Sequence, residues 1–340
     1  MEQHVWTIAS CKPHDFFLCL DIDSYFDYEH QPDQIFDKGF TRPISLQNRD
    51  ILVTLYFNGD TESPQFTVKA HEKLNPGDQS DAEAAIRRIL GCDLNIAPFY
   101  DQAVDDPVLS PLFQELYGLK RLSRASLFEE ALNRIIQTQI RHKPTARKMV
   151  YDVRGAYGTR LESDGIVYPA WPRPDRLLQT DPNTLKRYGL SLRKGEYVIG
   201  LAEELLNGRI FEEFSMTKEF STNEDQKREN YLHILNYIEN MRPQELYENL
   251  LSIRGIGSTT AQDLIHFRGR TDGWFASRID KGREQAVRRW IILSYGGDPD
   301  HCDDTEFQYM IRRWKGYEAV ALEFLYVNWI LSEKKKSSHG

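Results

Sequence analysis

The stretch Asn249-Leu-Leu-Ser-Ile-Arg-Gly-Ile-Gly-Ser-Thr-Thr-Ala-Gln-Asp-Leu-Ile-His-Phe267 constrains the fold more tightly than any other part of the chain. Before its turn, residues 243–252 place Leu246, Leu250 and Leu251 at helical spacing; after it, residues 258–267 repeat the pattern with Ala261, Leu264 and Ile265. Between the two, Arg254-Gly-Ile-Gly257 is too short for a flexible loop and holds two glycines, so the chain must reverse sharply. The spacing predicts helix, tight hairpin, helix. Gly257 or Ser258 would cap the second helix and leave its first backbone N–H groups free. Free amides at a helix start, beside glycines that let a ligand approach, suit a phosphate. An αα-corner whose glycines serve geometry alone accounts for the same residues.

A chain of 340 residues suggests two domains. No apolar run approaches the ~20 residues a membrane helix needs. The start, Met-Glu-Gln-His-Val-Trp, lacks the basic and apolar regions of an export signal, so a cytoplasmic, nucleoid-associated location is expected. Cys11, Cys19, Cys92 and Cys302 show no CxxC spacing, which argues against a zinc site, an iron–sulfur cluster and a disulfide framework. The net charge of −8 is unevenly spread: residues 1–110 hold 19 acidic and 8 basic side chains, the remainder 32 and 35. An acidic first part joined to a slightly basic remainder is compatible with DNA binding through one face.

Residues 1–92 read as an α+β domain. Strands are expected at 16–20, 51–57 and 65–69, with Asn58-Gly59-Asp60 as a hairpin turn and an amphipathic helix over 80–91 ending at Gly91. From about residue 95 the pattern turns helical, with helices expected at 99–117, 123–139, 144–157, 190–206 and 225–241 besides the hairpin pair. The Pro-rich segment 168–174 reads as an extended loop, residues 93–334 as an all-α domain, and 335–340 as a disordered tail.

Four segments in this order resemble the helix–hairpin–helix DNA glycosylases, and within them 3-methyladenine DNA glycosylase II. Ile253-Arg-Gly-Ile-Gly-Ser-Thr-Thr-Ala261 is similar to the family's (Leu/Phe)-Pro-Gly-Ile-Gly-x-Trp-Thr-Ala, with Arg254 for the proline and Thr259 for the tryptophan. Residues 128–140 resemble the family's helix ending in Gln-Gln or Gln-Leu. Residues 188–199 resemble its Gly-Leu-Ser-x-x-Lys-Ala-x-Tyr-Ile segment, and residues 314–326 its Trp-x-Pro-Trp/Tyr-Arg-Ser-x-Ala ending. The resemblance implies an N-terminal antiparallel sheet domain, like that of the TATA-binding protein, and two helical lobes with double-stranded DNA across the cleft between them.

It also implies site residues. Asp272-Gly-Trp-Phe-Ala-Ser-Arg-Ile-Asp280-Lys-Gly-Arg283 fits the family's Asp-x-Phe-Pro-x-x-Asp-x-Gly-Leu-Arg, which makes Asp280 the catalytic carboxylate and Asp272 the weaker candidate. Cleaving an N-glycosidic bond leaves positive charge on the sugar, which a fixed carboxylate stabilises while orienting water; helix capping is the other role open to Asp280. Bifunctional relatives carry a Schiff-base lysine where Thr259 stands, so a monofunctional reaction with water as nucleophile is expected. Gln139 aligns with the wedge that fills the gap left by a flipped base. Tyr326, Thr259, Asp263 and Trp274 are the substrate-pocket candidates. Gly255, Gly257, Thr260, Arg254 and Lys281 are the DNA-binding ones, and backbone carbonyls of Leu251, Ile253 and Ile256 would hold a structural Na+ or K+. The expected activity is release of alkylated purines from damaged duplex DNA by a monomer that requires no cofactor. The alternatives are an inactive DNA-binding protein of the same fold and a glycosylase for another damaged base such as 8-oxoguanine.

Overall fold

Alternation organises the first sheet. In the strand Gln65–Ala70, Phe66, Val68 and Ala70 are buried while Gln65 and Thr67 are exposed, the period of two of a strand with one dry face. The computed structural model describes residues 3–22, 33–46, 49–207, 240–266, 268–275 and 284–337. Its large sheet comprises β1 (His4–Ala9), β2 (Gln34–Phe36), β3 (Gly39–Ser45), β4 (Asp50–Phe57) and β5 (Gln65–Ala70), antiparallel in the order β1-β5-β4-β3-β2. All of β4 but Tyr56 is buried, because α2 (Pro76–Leu90) packs against β3 and a small hairpin, β6 (Arg160–Ser163) with β7 (Ile166–Pro169), packs against β3 and β4.

Several local expectations change. Residues 16–20 form a helix, α1 (Phe16–Ile22), because the Asp15 carboxylate accepts the Leu18 amide at 3.0 Å and so caps the turn that a strand would leave open. The helix expected at 80–91 begins earlier, where Asn75 accepts the Asp78 amide at 2.8 Å and Pro76 takes the first helical position. Residues 99–117 do not make one helix. α3 (Ala97–Gln102) stops ahead of Pro107 and Pro111, and Asp106 turns the chain by accepting the Val108 and Leu109 amides, each at 3.0 Å. The Pro-rich segment expected to be loop starts as the end of β7. The helix expected over 225–241 lies almost wholly outside the described residues.

The rest of the chain supplies α4 (Leu127–Gln137), α5 (Lys143–Tyr157), short α6 (Pro174–Leu177) and α7 (Pro182–Leu185), α8 (Leu192–Asn207), α9 (Pro243–Ser252), α10 (Ser258–His266), α11 (Glu284–Ser294), α12 (Asp304–Met310) and α13 (Glu318–Ser337). The last helix runs into the segment expected to be a tail. Two cores result. One joins the sheet and α2 to Phe275, Ile291, Phe307, Trp314 and Phe324 from the C-terminal part of the chain. The other packs Leu132, Ile136, Leu201, Leu246, Ile253 and Leu264 from the intervening helices. The chain therefore leaves the first core after residue 122 and returns to it at residue 275. Asp106 ties the two passes together: it accepts the Tyr295 hydroxyl at 2.7 Å, and the fully buried Trp314 donates its indole N–H to that hydroxyl at 2.9 Å. Among the described residues, no helix is long and apolar enough to cross a membrane.

Candidate nucleic-acid interface

A cleft of about 980 Å³ lies between the two cores, with residues 121–124 and Tyr326 on one side and α4, the start of α8 and the α9–α10 hairpin on the other. The hairpin is tight for the reason read from its glycines. Gly255 sits at φ +100°, and a Cβ there would lie 2.4 Å from the Tyr197 ring, so both backbone and packing demand glycine. Gly257 is different. A Cβ there would meet no protein atom within 4 Å, so its surface is open for a ligand, and its carbonyl accepts the Ala261 amide at 2.9 Å to begin α10. Gly255, Gly257, Ser258, Thr259 and Thr260 all line the cleft.

Beside them on the same side, α4 opens with Ser126 accepting the Glu129 amide at 3.2 Å. It closes where Thr138 donates its hydroxyl to the Arg134 carbonyl at 2.6 Å. Gln139 follows, exposed, at φ +64° in the left-handed region. A non-glycine side chain there costs roughly 1–2 kcal/mol, and such strain gathers at functional positions. Gln139 points a polar side chain onto the rim of the same cleft as the hairpin.

The floor beside α4 is an ion network. Glu130 is buried and accepts from Arg124 and, at 2.8 Å, from Arg134 Nε; Arg134 in turn stands 3.2 Å from Asp263. Burial pushes the Glu130 carboxyl up, but the charges of Arg124 and Arg134 outweigh it and hold it down at about 2. Its neighbour Glu129, buried with the Ala125 amide as donor, is pushed up to about 7 by loss of water, against the attraction of Arg42, Arg154 and Arg124. Burial also raises the Asp263 carboxyl, with Arg134 acting in the other direction.

The expected site residues divide. Gln139, Gly255, Gly257, Thr259, Thr260, Asp263, Tyr326 and Ile256 meet in the cleft. Trp274 does not line it: its ring packs 4.9 Å from Tyr247, and its carbonyl accepts the Gln262 amide. Arg254 turns along the outside of the hairpin to Glu196, at 2.9 Å, across the Tyr197 ring. Asp272 is held by Arg270 at 2.8 Å and Arg268 at 3.0 Å. Asp280 and Lys281 lie outside the described residues. For a monovalent cation, backbone carbonyls are oxygen donors of the right kind. The Ile253 carbonyl accepts the Ile256 amide at 3.0 Å within the turn and keeps a second lone pair, which is the kind of oxygen donor such an ion takes.

Sequence reading missed the basic lining from Arg121, Arg124, Arg134, Lys143, Arg147 and Arg193. These residues are scattered over four segments, and only the Glu130–Arg134 pair at helical spacing carries a local signal.

No family model matches the chain. A DNA-3-methyladenine glycosylase of Bacillus subtilis (strain 168) is 26% identical over 204 residues, a match spanning 59% of this chain and 59% of that enzyme. In solved structures, a 3-methyladenine DNA-glycosylase from Archaeoglobus fulgidus superposes with a TM-score of 0.69 at 21% identity, covering 95% of this chain and 97% of that one. An 8-oxoguanine glycosylase/lyase of Clostridium acetobutylicum reaches 0.62 at 14% identity over 96% and 97%. The chain shares its overall fold with these solved glycosylases. In sequence it resembles the DNA-3-methyladenine glycosylases, and in fold the helix–hairpin–helix DNA glycosylases.

Proposed function

We propose that the chain is a base-excision-repair enzyme that binds double-stranded DNA as a monomer, flips an alkylated purine and hydrolyses its N-glycosidic bond. One observation carries the reading: the strained Gln139 turn and the open hairpin surface at Gly257 face a single cleft. A phosphate received by the amides beginning α10 would set the strand, and Gln139 would enter the gap left by the base. The cation held by the Leu251, Ile253 and Ile256 carbonyls would add positive charge beside that phosphate. Asp280 would stabilise the oxocarbenium-like sugar and align water. Thr259 lines the cleft where a bifunctional enzyme carries its lysine, and a hydroxyl cannot form a Schiff base. That residue disfavours the lyase chemistry of the 8-oxoguanine glycosylase/lyase that shares the fold.

The test is base release from methylated duplex DNA by wild type and Asp280→Asn, with borohydride trapping as control. The expected outcome is release of 3-methyladenine and 7-methylguanine, lost in the variant, with no trapped adduct. Salt-sensitive DNA binding without release of any base would mean a binding protein, and a trapped adduct would overturn the monofunctional assignment.

A further inference from the structure

Asp263 is the feature of the cleft that the reading above leaves without a role. It lies one helical turn beyond Thr259 on α10, so both side chains share the face that lines the cleft. Among the described residues the lining holds two acidic side chains, Glu130 and Asp263. Glu130 is buried between Arg124 and Arg134. Asp263 is different: its carboxylate has one ion-pair partner among the described residues, Arg134 at 3.2 Å, and that guanidinium already holds Glu130 at 2.8 Å through its Nε. Asp263 thus shares Arg134 with a stronger competitor, and the charge of Arg121 that also reaches it is itself paired with Glu323.

Stacking has little to work with here. The aromatic side chains lining the cleft, among the described residues, are Tyr197 and Tyr326, and Tyr197 is spent under Gly255. The remaining basic lining suits phosphate and repels a cation. A purine alkylated on a ring nitrogen carries a formal positive charge, and an under-compensated carboxylate is the group that attracts it in a partly desolvated cleft.

We propose that Asp263 is the specificity-determining residue of the cleft, selecting flipped purines that carry a formal positive charge over neutral purines of the same shape. The loss of water that raises its carboxyl is relieved when a cation arrives. Arg134 acts as the positioning residue, fixing Asp263 from the α4 side. This inference rests on the base-flipping reading above.

The test measures affinity of the full chain for two duplexes. One carries 7-methylguanine on a 2′-fluorinated sugar, which keeps the charge and resists cleavage; the other carries the uncharged 7-deaza-7-methylguanine. Wild type should prefer the charged base, and Asp263→Asn should reduce that preference by about tenfold while Asp263→Glu retains it. Asp263→Ser provides a second removal of charge should the amide variant fail to fold. Equal preference in wild type and the charge-removing variants would overturn the proposal, as would a wild type that binds both duplexes alike. Base release by wild type, measured in parallel on methylated DNA, tells that failure apart from failure of the glycosylase reading itself.

Discussion

Two neighbouring parts of the cleft lining are built from opposite materials. The hairpin wall is backbone and small side chains: Gly255, Gly257, Ser258 and two threonines, with chemistry in the amides and in the space that glycine leaves. The α4 wall is charge held in place by other charge, Arg124–Glu130–Arg134–Asp263. A wall of amides tolerates almost no change of shape but is indifferent to pH. A wall of ion pairs tolerates shape but depends on every partner being present. On the proposed function, phosphate reception falls to the hairpin and discrimination of the base to α4 and its partner Asp263.

The largest effect that would break this contrast is expected at Glu130. Glu130→Ala leaves Arg124 and Arg134 without their shared carboxylate in a half-buried network, and should cost about 3–5 kcal/mol of unfolding free energy in denaturant titration. A loss below about 1 kcal/mol would mean that the network is solvated and the α4 wall is no more than surface charge.

The two hairpin glycines come next. Gly255→Ala must hold a left-handed φ with its Cβ driven into the Tyr197 ring, and should lower stability by about 2 kcal/mol or more. Gly257→Ala meets no protein atom, so its melting temperature should stay near that of wild type while DNA affinity falls. Equal destabilisation by both would erase the distinction between a glycine required by the fold and one required by the ligand.

Adjacent carboxyls sharpen the comparison through pH. Glu130, held at about 2, contributes stability that is present above its ordinary value of 4.5 and is lost as pH falls through about 2. Glu129, raised to about 7, does the reverse: its contribution is full below 4.5 and is lost as pH rises through about 7. Glu129→Gln should therefore flatten the decline in stability between pH 4.5 and 7, read from urea midpoints across that range, and leave the acid limb unchanged.

The smallest effect belongs to Gln139. Gln139→Gly removes a side chain from a left-handed position and should raise stability by about 1 kcal/mol while slowing base release. Stabilisation with unaltered release would separate the strain at this turn from any wedge role.

Legibility followed the range of the interactions. β5, α2, α5 and the hairpin pair were readable because periodicity, caps and glycines act within a few residues: Asn75 caps its own helix, and Gly255 turns its own chain. α1 was misread as a strand because Phe16-Phe-Leu-Cys-Leu20 is apolar enough for either element, and a single Asp15 cap decides it. At the site, the hairpin residues could be named from their motif, whereas the arginines of the cleft could not be gathered from four scattered segments. Trp274 illustrates the same limit, since a plausible pocket aromatic by position packs on Tyr247 instead.

The sequence by itself determined where the chain turns, which faces are apolar, and that no lysine stands at position 259. The tertiary structure alone decided that the last helices return to the core of the sheet, that the cleft opens along the seam between two cores, and that Asp263 meets Arg134 within its lining. The physical reason is distance along the chain. Turns and helix faces are settled by neighbours, but the partner of a charge 129 positions away is chosen only when burial brings both out of water together.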